Sequence, residues 1–263
     1  MNGNRRGSDG LDGPQGKTID YEQLACTYAR YRAASPRILS YLLQASAAFE
    51  QPKLLDVGCG TGDFCAALGE ALKSYGGQCR GFDVSPAMLE SAQSKHPDRV
   101  LDLQLGDAAG RWPYADGQFD VVFSVNVIHY VRDLDAYFAE ARRVLRPGSL
   151  AVTVTDSEED IANRTMTRYF PESVEYERRR YHPIANLESA MARAGFSGVG
   201  ADHTSHAGTM EQADLDRYRN RIFSGLQLIS DFSFALGLAR LERDYAAGKR
   251  DLVELYTCLR GRA

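Results

Sequence analysis

Residues 54–64 read Leu-Leu-Asp-Val-Gly-Cys-Gly-Thr-Gly-Asp-Phe (LLDVGCGTGDF). An apolar run ends in glycines at 58, 60 and 62, and an amphipathic run follows. This order predicts a strand, a turn whose backbone can approach a ligand, and a helix start that presents amides. The spacing narrows the ligand. A dinucleotide fingerprint wants Gly-x-Gly-x-x-Gly, whereas the sixth position here is Asp63 and the third glycine falls one residue early. No Lys-Ser/Thr pair follows, which removes the P-loop reading.

Outward from the loop the same unit recurs. Strands are predicted at 53–57, 78–84, 100–105, 119–125 and 149–155, with helices at 64–74 and 86–95. A further helical stripe (Leu134, Tyr137, Phe138, Ala141, Val144, Leu145) has acids at its start and arginines at its end, and Pro147-Gly148 is expected to stop it. Phe-Asp-Val-Val-Phe-Ser-Val at 119–125 is apolar enough for a strand covered on both faces. Alternation of this kind means an α/β fold with a parallel sheet and helices on both sides. Upstream, Asp20 is a plausible N-cap for a helix facing inward through Tyr21, Leu24, Ala25 and Tyr28, and Ser35-Pro36 opens a second helix reaching about 48.

The last third is less regular. A helix at 185–194 closes on Gly195, and a strand runs from Phe196 towards His203. Leu215, Tyr218, Ile222, Leu226 and Ile229 recur every three or four residues; Phe234, Leu238, Leu241 and Tyr245 form a second stripe after Ser230-Asp231. A closing strand is expected at 252–260. The organisation is therefore a tail at 1–18, rich in Gly, Asn, Asp and Pro, and one domain at 19–263. Its core covers about 50–156 and 185–206 plus a closing strand at 251–260, with insertions at 157–184 and 207–249.

Net charge is −4 and the only dense basic block is Arg178-Arg179-Arg180, read as a solvated helix face, so nucleic acid is not the expected partner. Five cysteines without CxxC spacing suit reduced thiols and a cytoplasmic setting. No apolar run approaches the roughly 20 residues of a membrane span. His203 and His206 have a ligand-like spacing but no third partner, so no metal is expected.

Asp56, Asp83 and Asp107 fall at the ends of the first three strands, along one sheet edge. Carboxylates there repel a pyrophosphate and suit ribose hydroxyls and amino groups. The matching ligand is a nucleoside with a cationic arm.

At this point the sequence resembles the class I S-adenosylmethionine-dependent methyltransferases, in particular the group that includes quinone and natural-product enzymes. LLDVGCGTG looks like their glycine motif, GFDVSPAML their ribose segment and GDA their adenine segment; FDVVFSVNVIHYVRD and EARRVLRPGSLAVTV look like their fourth and fifth strands. The resemblance covers about 20–155. It implies a Rossmann-like, doubly wound, mostly parallel seven-stranded sheet, with helical insertions forming a substrate lid. It also implies S-adenosyl-L-methionine as cofactor, S-adenosyl-L-homocysteine as product, and a monomer or homodimer acting on a small-molecule acceptor.

Carried onto this chain, the resemblance places Gly58, Cys59 and Gly60 against the cofactor and Asp56 near its ammonium. Asp83 accepts from the ribose hydroxyls. Met88 covers the adenine with Val84 nearby, and Gly106, Asp107 and Ala108 meet its edge. Asn126 lines the pocket near the sulfonium. Tyr28 and Arg32 resemble a segment that closes over the methionine end; core packing for Tyr28 and a surface helix for Arg32 explain them equally well. His129, after the fourth strand, is the candidate proton acceptor, with Tyr130 beside it; the competing role is a histidine that only shapes the pocket. Tyr169, Phe170, Tyr176, Tyr181 and His182 in the first insertion suit a planar or apolar acceptor. Two other functions stay open: an S-adenosylmethionine-binding protein catalysing a non-methylating reaction such as a cyclisation, and a nicotinamide-dependent oxidoreductase.

Overall fold

The structure, a computed structural model, describes residues 19–263; the expected tail at 1–18 lies outside the described residues. In chain order the elements begin with helices α1 (Tyr21–Tyr31) and α2 (Pro36–Ser46), followed by β1 (Lys53–Val57), α3 (Asp63–Leu72), β2 (Gln78–Asp83), α4 (Pro86–Lys95) and β3 (Asp102–Leu105). Then come β4 (Phe119–Val125), α5 (Leu134–Val144) and β5 (Leu145–Thr155). Three short helices follow, α6 (Glu158–Asn163), α7 (Thr165–Tyr169) and α8 (Ser173–Arg180), before α9 (Ile184–Arg193) and β6 (Ser197–Thr209). Helices α10 (Gln212–Arg219), α11 (Ser224–Leu228) and α12 (Asp231–Ala246) precede β7 (Asp251–Arg262).

The seven strands form one sheet in the order β3-β2-β1-β4-β5-β7-β6. Strands β1 to β5 pair in parallel, and β7 runs antiparallel to both neighbours. The chain leaves β1 for one edge and returns to β4 on the other side, so the order reverses between β1 and β4. That reversal opens a crevice beyond the carboxyl ends of the strands.

Period-two alternation divides the strand residues between two cores. Leu54, Val121 and Phe123 face α2 and α3 through Ile38, Leu42 and Leu68. Leu55, Val57 and Val122 face α5 and α9 through Phe138, Val144, Leu187 and Met191. The insertions build a third cluster from Met166, Phe170, Leu215, Tyr218, Leu226 and Leu241. Phe170 stacks on Tyr218 at 5.9 Å and on Phe234 at 5.8 Å. Gly237 of α12 admits this ring, since a Cβ there would lie 2.4 Å from it.

Four expectations need correction. Helix α5 ends at Val144, before Pro147-Gly148, because Leu145 is already extended and pairs with Phe119. Register then jumps from Leu145–Phe119 to Leu150–Val121, and Pro147 occupies the irregular stretch, where its missing N–H breaks no ladder bond. Strand β6 continues past His206 to Thr209, paired along its length with β7. The stripe at 215–229 is two helices, because Arg221 takes φ 50° and the Ile222 amide folds back onto the Arg217 carbonyl at 3.1 Å. Val100 stays outside β3, and its side chain is fully exposed.

Candidate functional site

The crevice is a cavity of about 480 Å³. The candidate cofactor and proton-transfer residues named from the sequence all line it: Tyr28, Arg32, Asp56, Gly58, Cys59, Gly60, Asp83, Val84, Met88, Gly106, Asp107, Ala108, Asn126, His129 and Tyr130. They come from α1 and its C-terminal end, β1 and the β1–α3 loop, α4, and the segments beyond the carboxyl ends of β2, β3 and β4. Of the aromatic residues expected to wall the acceptor, Tyr181 lines it, whereas Tyr169, Phe170 and Tyr176 pack into the third cluster and the His182 ring meets the Val131 carbonyl.

The glycine loop is fixed by its neighbours. Gly58 has φ 70°, and a Cβ there would lie 2.5 Å from Val127 Cγ2, so both conformation and space require glycine. A Cβ on Gly60 would meet nothing within 4 Å, which leaves open room above the loop. The Gly58 and Cys59 amides donate to the Phe82 carbonyl at 2.9 and 3.0 Å. The Gly60 amide donates to Asp83 Oδ2 at 2.8 Å, and the Ser85 amide to Asp83 Oδ1 at 3.0 Å. A carboxylate offers about four acceptor sites, so Asp83 keeps acceptor capacity for a ligand. Burial raises its pKa, and the Ser85, Gly60 and Val84 amides oppose that shift.

Asp56 is 2% exposed, and its hydrogen-bond donor among the described residues is the Cys65 thiol at 3.8 Å. Burial, then the Asp83 charge, push its pKa well up. A buried carboxylate so poorly partnered favours a cationic ligand. Behind it Cys65 lies 3.7 Å from the Cys79 thiol, and both are buried with Cys59. Ser85 caps α4 by accepting from the Met88 amide at 3.1 Å, which sets Met88 against the cavity, 3% exposed. Asp107 Oδ1 is taken by the Ala109 amide at 2.8 Å, and the Ala108 carbonyl accepts from Trp112 Nε1 at 3.1 Å.

Asn126 follows β4 with φ 57°, a left-handed conformation that asparagine tolerates better than most residues. Its amide donates to the Val154 carbonyl at 2.9 Å. His129 follows on a 3-10 turn, 3% exposed, stacked on Tyr181 at 4.2 Å and tilted against Tyr130 at 4.1 Å. Neither ring nitrogen has a hydrogen-bond partner. Burial, then the charges of Arg180, His182 and Arg164, hold its pKa well below the ordinary histidine value. Its neutral ring can accept a proton from a group placed in the cavity.

The insertions supply groups the sequence reading missed. Arg164 bridges Asp156 and Glu177, all three lining the cavity. Arg180 is 3% exposed and donates to the Tyr130 hydroxyl at 2.7 Å, which also meets the Tyr21 hydroxyl. The basic triplet is therefore not all solvated face: Arg178 and Arg179 are exposed and Arg180 is buried. The 4-then-3 spacing of Ser173, Glu177 and Arg180, the buried stripe of α8, was the signal available. His203 and His206 are committed to Thr257 and Arg37 at 2.9 and 2.6 Å. Among the described residues no cluster of three or more potential ligands could hold a metal ion. No helix among them is long and apolar enough to cross a membrane.

Residues 55–153 match a family model described as a methyltransferase domain. Norajmaline N-methyltransferase of Rauvolfia serpentina is 30% identical over 138 residues, 49% of this chain and 46% of that protein. Malonyl-[acyl-carrier protein] O-methyltransferase of Geobacter sulfurreducens is 29% identical over 182 residues, 66% of this chain and 67% of that one. The chain spans about half the length of the first of these relatives. Among solved structures, a putative methyltransferase from an antibiotic biosynthesis pathway of Anabaena variabilis superposes with a TM-score of 0.69. That likeness covers 88% of this chain and 98% of that one, at 19% identity.

Proposed function

We infer that this chain, which carries a class I S-adenosylmethionine-dependent methyltransferase domain, transfers a methyl group from S-adenosylmethionine to an oxygen, nitrogen or carbon nucleophile of a small metabolite. One observation carries the reading. A single cavity joins a donor end, with the under-partnered Asp56 and the amide-held Asp83 beneath an open glycine loop, to an aromatic end holding a neutral histidine with both nitrogens free.

The residues fit the cofactor. Asp83 offers its remaining acceptor capacity to ribose hydroxyls, Asp56 an under-partnered carboxylate to an ammonium, and the space above Gly60 admits a ligand. Met88 and Val84 would flank the adenine, with Gly106, Asp107 and Ala108 at its edge. Tyr28 and Arg32 would close the methionine end, Arg32 lying over the Tyr28 ring at 5.5 Å. When bound, the cofactor supplies a methyl carbon activated by a positively charged sulfur. The acceptor's lone pair forms the new bond as the carbon–sulfur bond breaks, and that electron pair stays on sulfur to give S-adenosylhomocysteine. The chain's part is to align the two molecules, exclude water and take the acceptor's proton on His129 where one must leave. Tyr181, Tyr218 and Phe223, which the insertions bring to the cavity, suit a planar or apolar acceptor.

The test is a mass screen of the purified protein over a metabolite library. It should find a product one methyl group heavier, with S-adenosylhomocysteine formed in equal amount; a product without S-adenosylhomocysteine would overturn the reading. Asp83→Ala should weaken S-adenosylmethionine binding by about tenfold or more in calorimetry, the loss expected for a charged hydrogen-bond acceptor. Near-normal affinity would sink the ribose assignment.

A further inference from the structure

Two guanidiniums stand at the acceptor end, and they are neutralised differently. Arg164 lies between Asp156 and Glu177. Arg180 forms no ion pair with a carboxylate among the described residues; its contacts are hydroxyls. It donates to the Tyr130 hydroxyl at 2.7 Å, lies over the same ring at 5.1 Å, and reaches Ser224 Oγ at 3.5 Å. Its Nε is buried without a partner. A buried cation served only by neutral groups keeps most of its desolvation cost, and an anion nearby would offset it.

The groups beside it share that sign. Tyr130, which lines the cavity, is clamped between the guanidinium and the Tyr21 hydroxyl. His129 stacks against it with both nitrogens free. The charges of Arg180, His182 and Arg164 disfavour a second positive charge on that ring, and burial pushes Asp156 towards its protonated form.

We propose that the acceptor is an oxygen acid, a phenol, enol or carboxylic acid, bound as its oxyanion against the hydroxyl of Tyr130 that Arg180 polarises. This rests on the methyltransferase reading and sharpens it to O-methylation. The proton leaves first, to His129 or to solvent. The oxyanion's lone pair then forms the oxygen–methyl bond while the carbon–sulfur electrons return to sulfur. An amine fits poorly, because its protonated form would meet the uncompensated charge of Arg180 behind Tyr130, whereas an oxyanion offsets that charge.

The test uses the whole chain loaded with S-adenosylhomocysteine, so that no methyl is transferred. The probe is para-nitrophenol, whose phenolate absorbs in the visible, with para-nitroaniline as its amine counterpart. Bound nitrophenol should ionise about one pH unit or more below the free compound, equivalent to a tenfold preference for phenolate. Nitroaniline should bind about tenfold more weakly than nitrophenol. Arg180→Gln should abolish the shift and leave S-adenosylhomocysteine affinity unchanged. Should that variant melt early, Tyr130→Phe keeps the ring, removes the hydroxyl and should shrink the shift. The proposal is overturned by an unchanged or raised midpoint, by a shift that survives Arg180→Gln, by equal binding of the amine, or by no nitrophenol binding at all. Loss of S-adenosylhomocysteine binding in the unaltered chain would instead overturn the methyltransferase reading, and this proposal with it.

Discussion

His129 makes stability depend on pH. Its folded-state pKa lies below the ordinary value of 6.5, chiefly through burial. Between the two values the unfolded chain binds a proton that the folded chain does not. Stability is therefore complete above about pH 6.5 and is lost as pH falls through that window. The buried Asp56, with its raised pKa, contributes with the opposite sign, so only a comparison isolates the histidine. The urea midpoint should drop from pH 7.5 to pH 5.5, and His129→Phe should flatten that drop; an equal drop in both proteins would show that His129 is not held neutral. If His129 takes the acceptor's proton, His129→Ala should lose turnover and keep its cofactor affinity. At this scale the donor end was legible, because Asp83 and the glycines sit at fixed offsets from strand ends. Arg180 was not, since a triplet of arginines looks the same whether one of them turns inward or none does.

Elements with strong local punctuation were read residue for residue: Lys53–Val57, Pro86–Lys95 and Phe119–Val125. The first two are bounded by glycine, proline or a capping serine, and the third follows Gly117-Gln118. The second half of β6 carried no such signal, because its alternation of Gly, Ala, Ser and His is held by pairing with β7. Tertiary contact decided there what propensity left open. The cap of α4 gives an element-scale prediction. Ser85→Ala removes the acceptor for the Met88 amide and should cost about 1 kcal/mol in chemical denaturation. Cofactor affinity should fall far less than in Asp83→Ala, because the Ser85 backbone amide that holds Asp83 remains.

At the scale of the whole molecule, the crevice is closed by elements far apart in sequence. Helix α1 is held over it by four ties: Tyr21 to Tyr130, Glu22 to the Ala87 amide, Lys95 Nζ to the Arg32 carbonyl, and Arg217 Nε to the Tyr31 carbonyl. The first and the last draw on side chains that line the cavity, Tyr21, Tyr130 and Arg217, which a bound ligand would order further. Amide hydrogen exchange across Tyr21–Tyr31 should slow on adding S-adenosylhomocysteine, while exchange in β4 stays unchanged; equal protection with and without it would separate α1 from the site. None of these ties was visible in the sequence, because each joins residues with no shared pattern.

The thiols behind the glycine loop have a use in measurement. Cys65 and Cys79 are buried in the seam between β1, α3 and β2, and burial helps to hold both as unreactive thiols. A maleimide can reach them only while that seam is parted. Their labelling rate is thus a clock for how often the donor end comes apart, with the exposed Cys26 as the fast reference in the same chain.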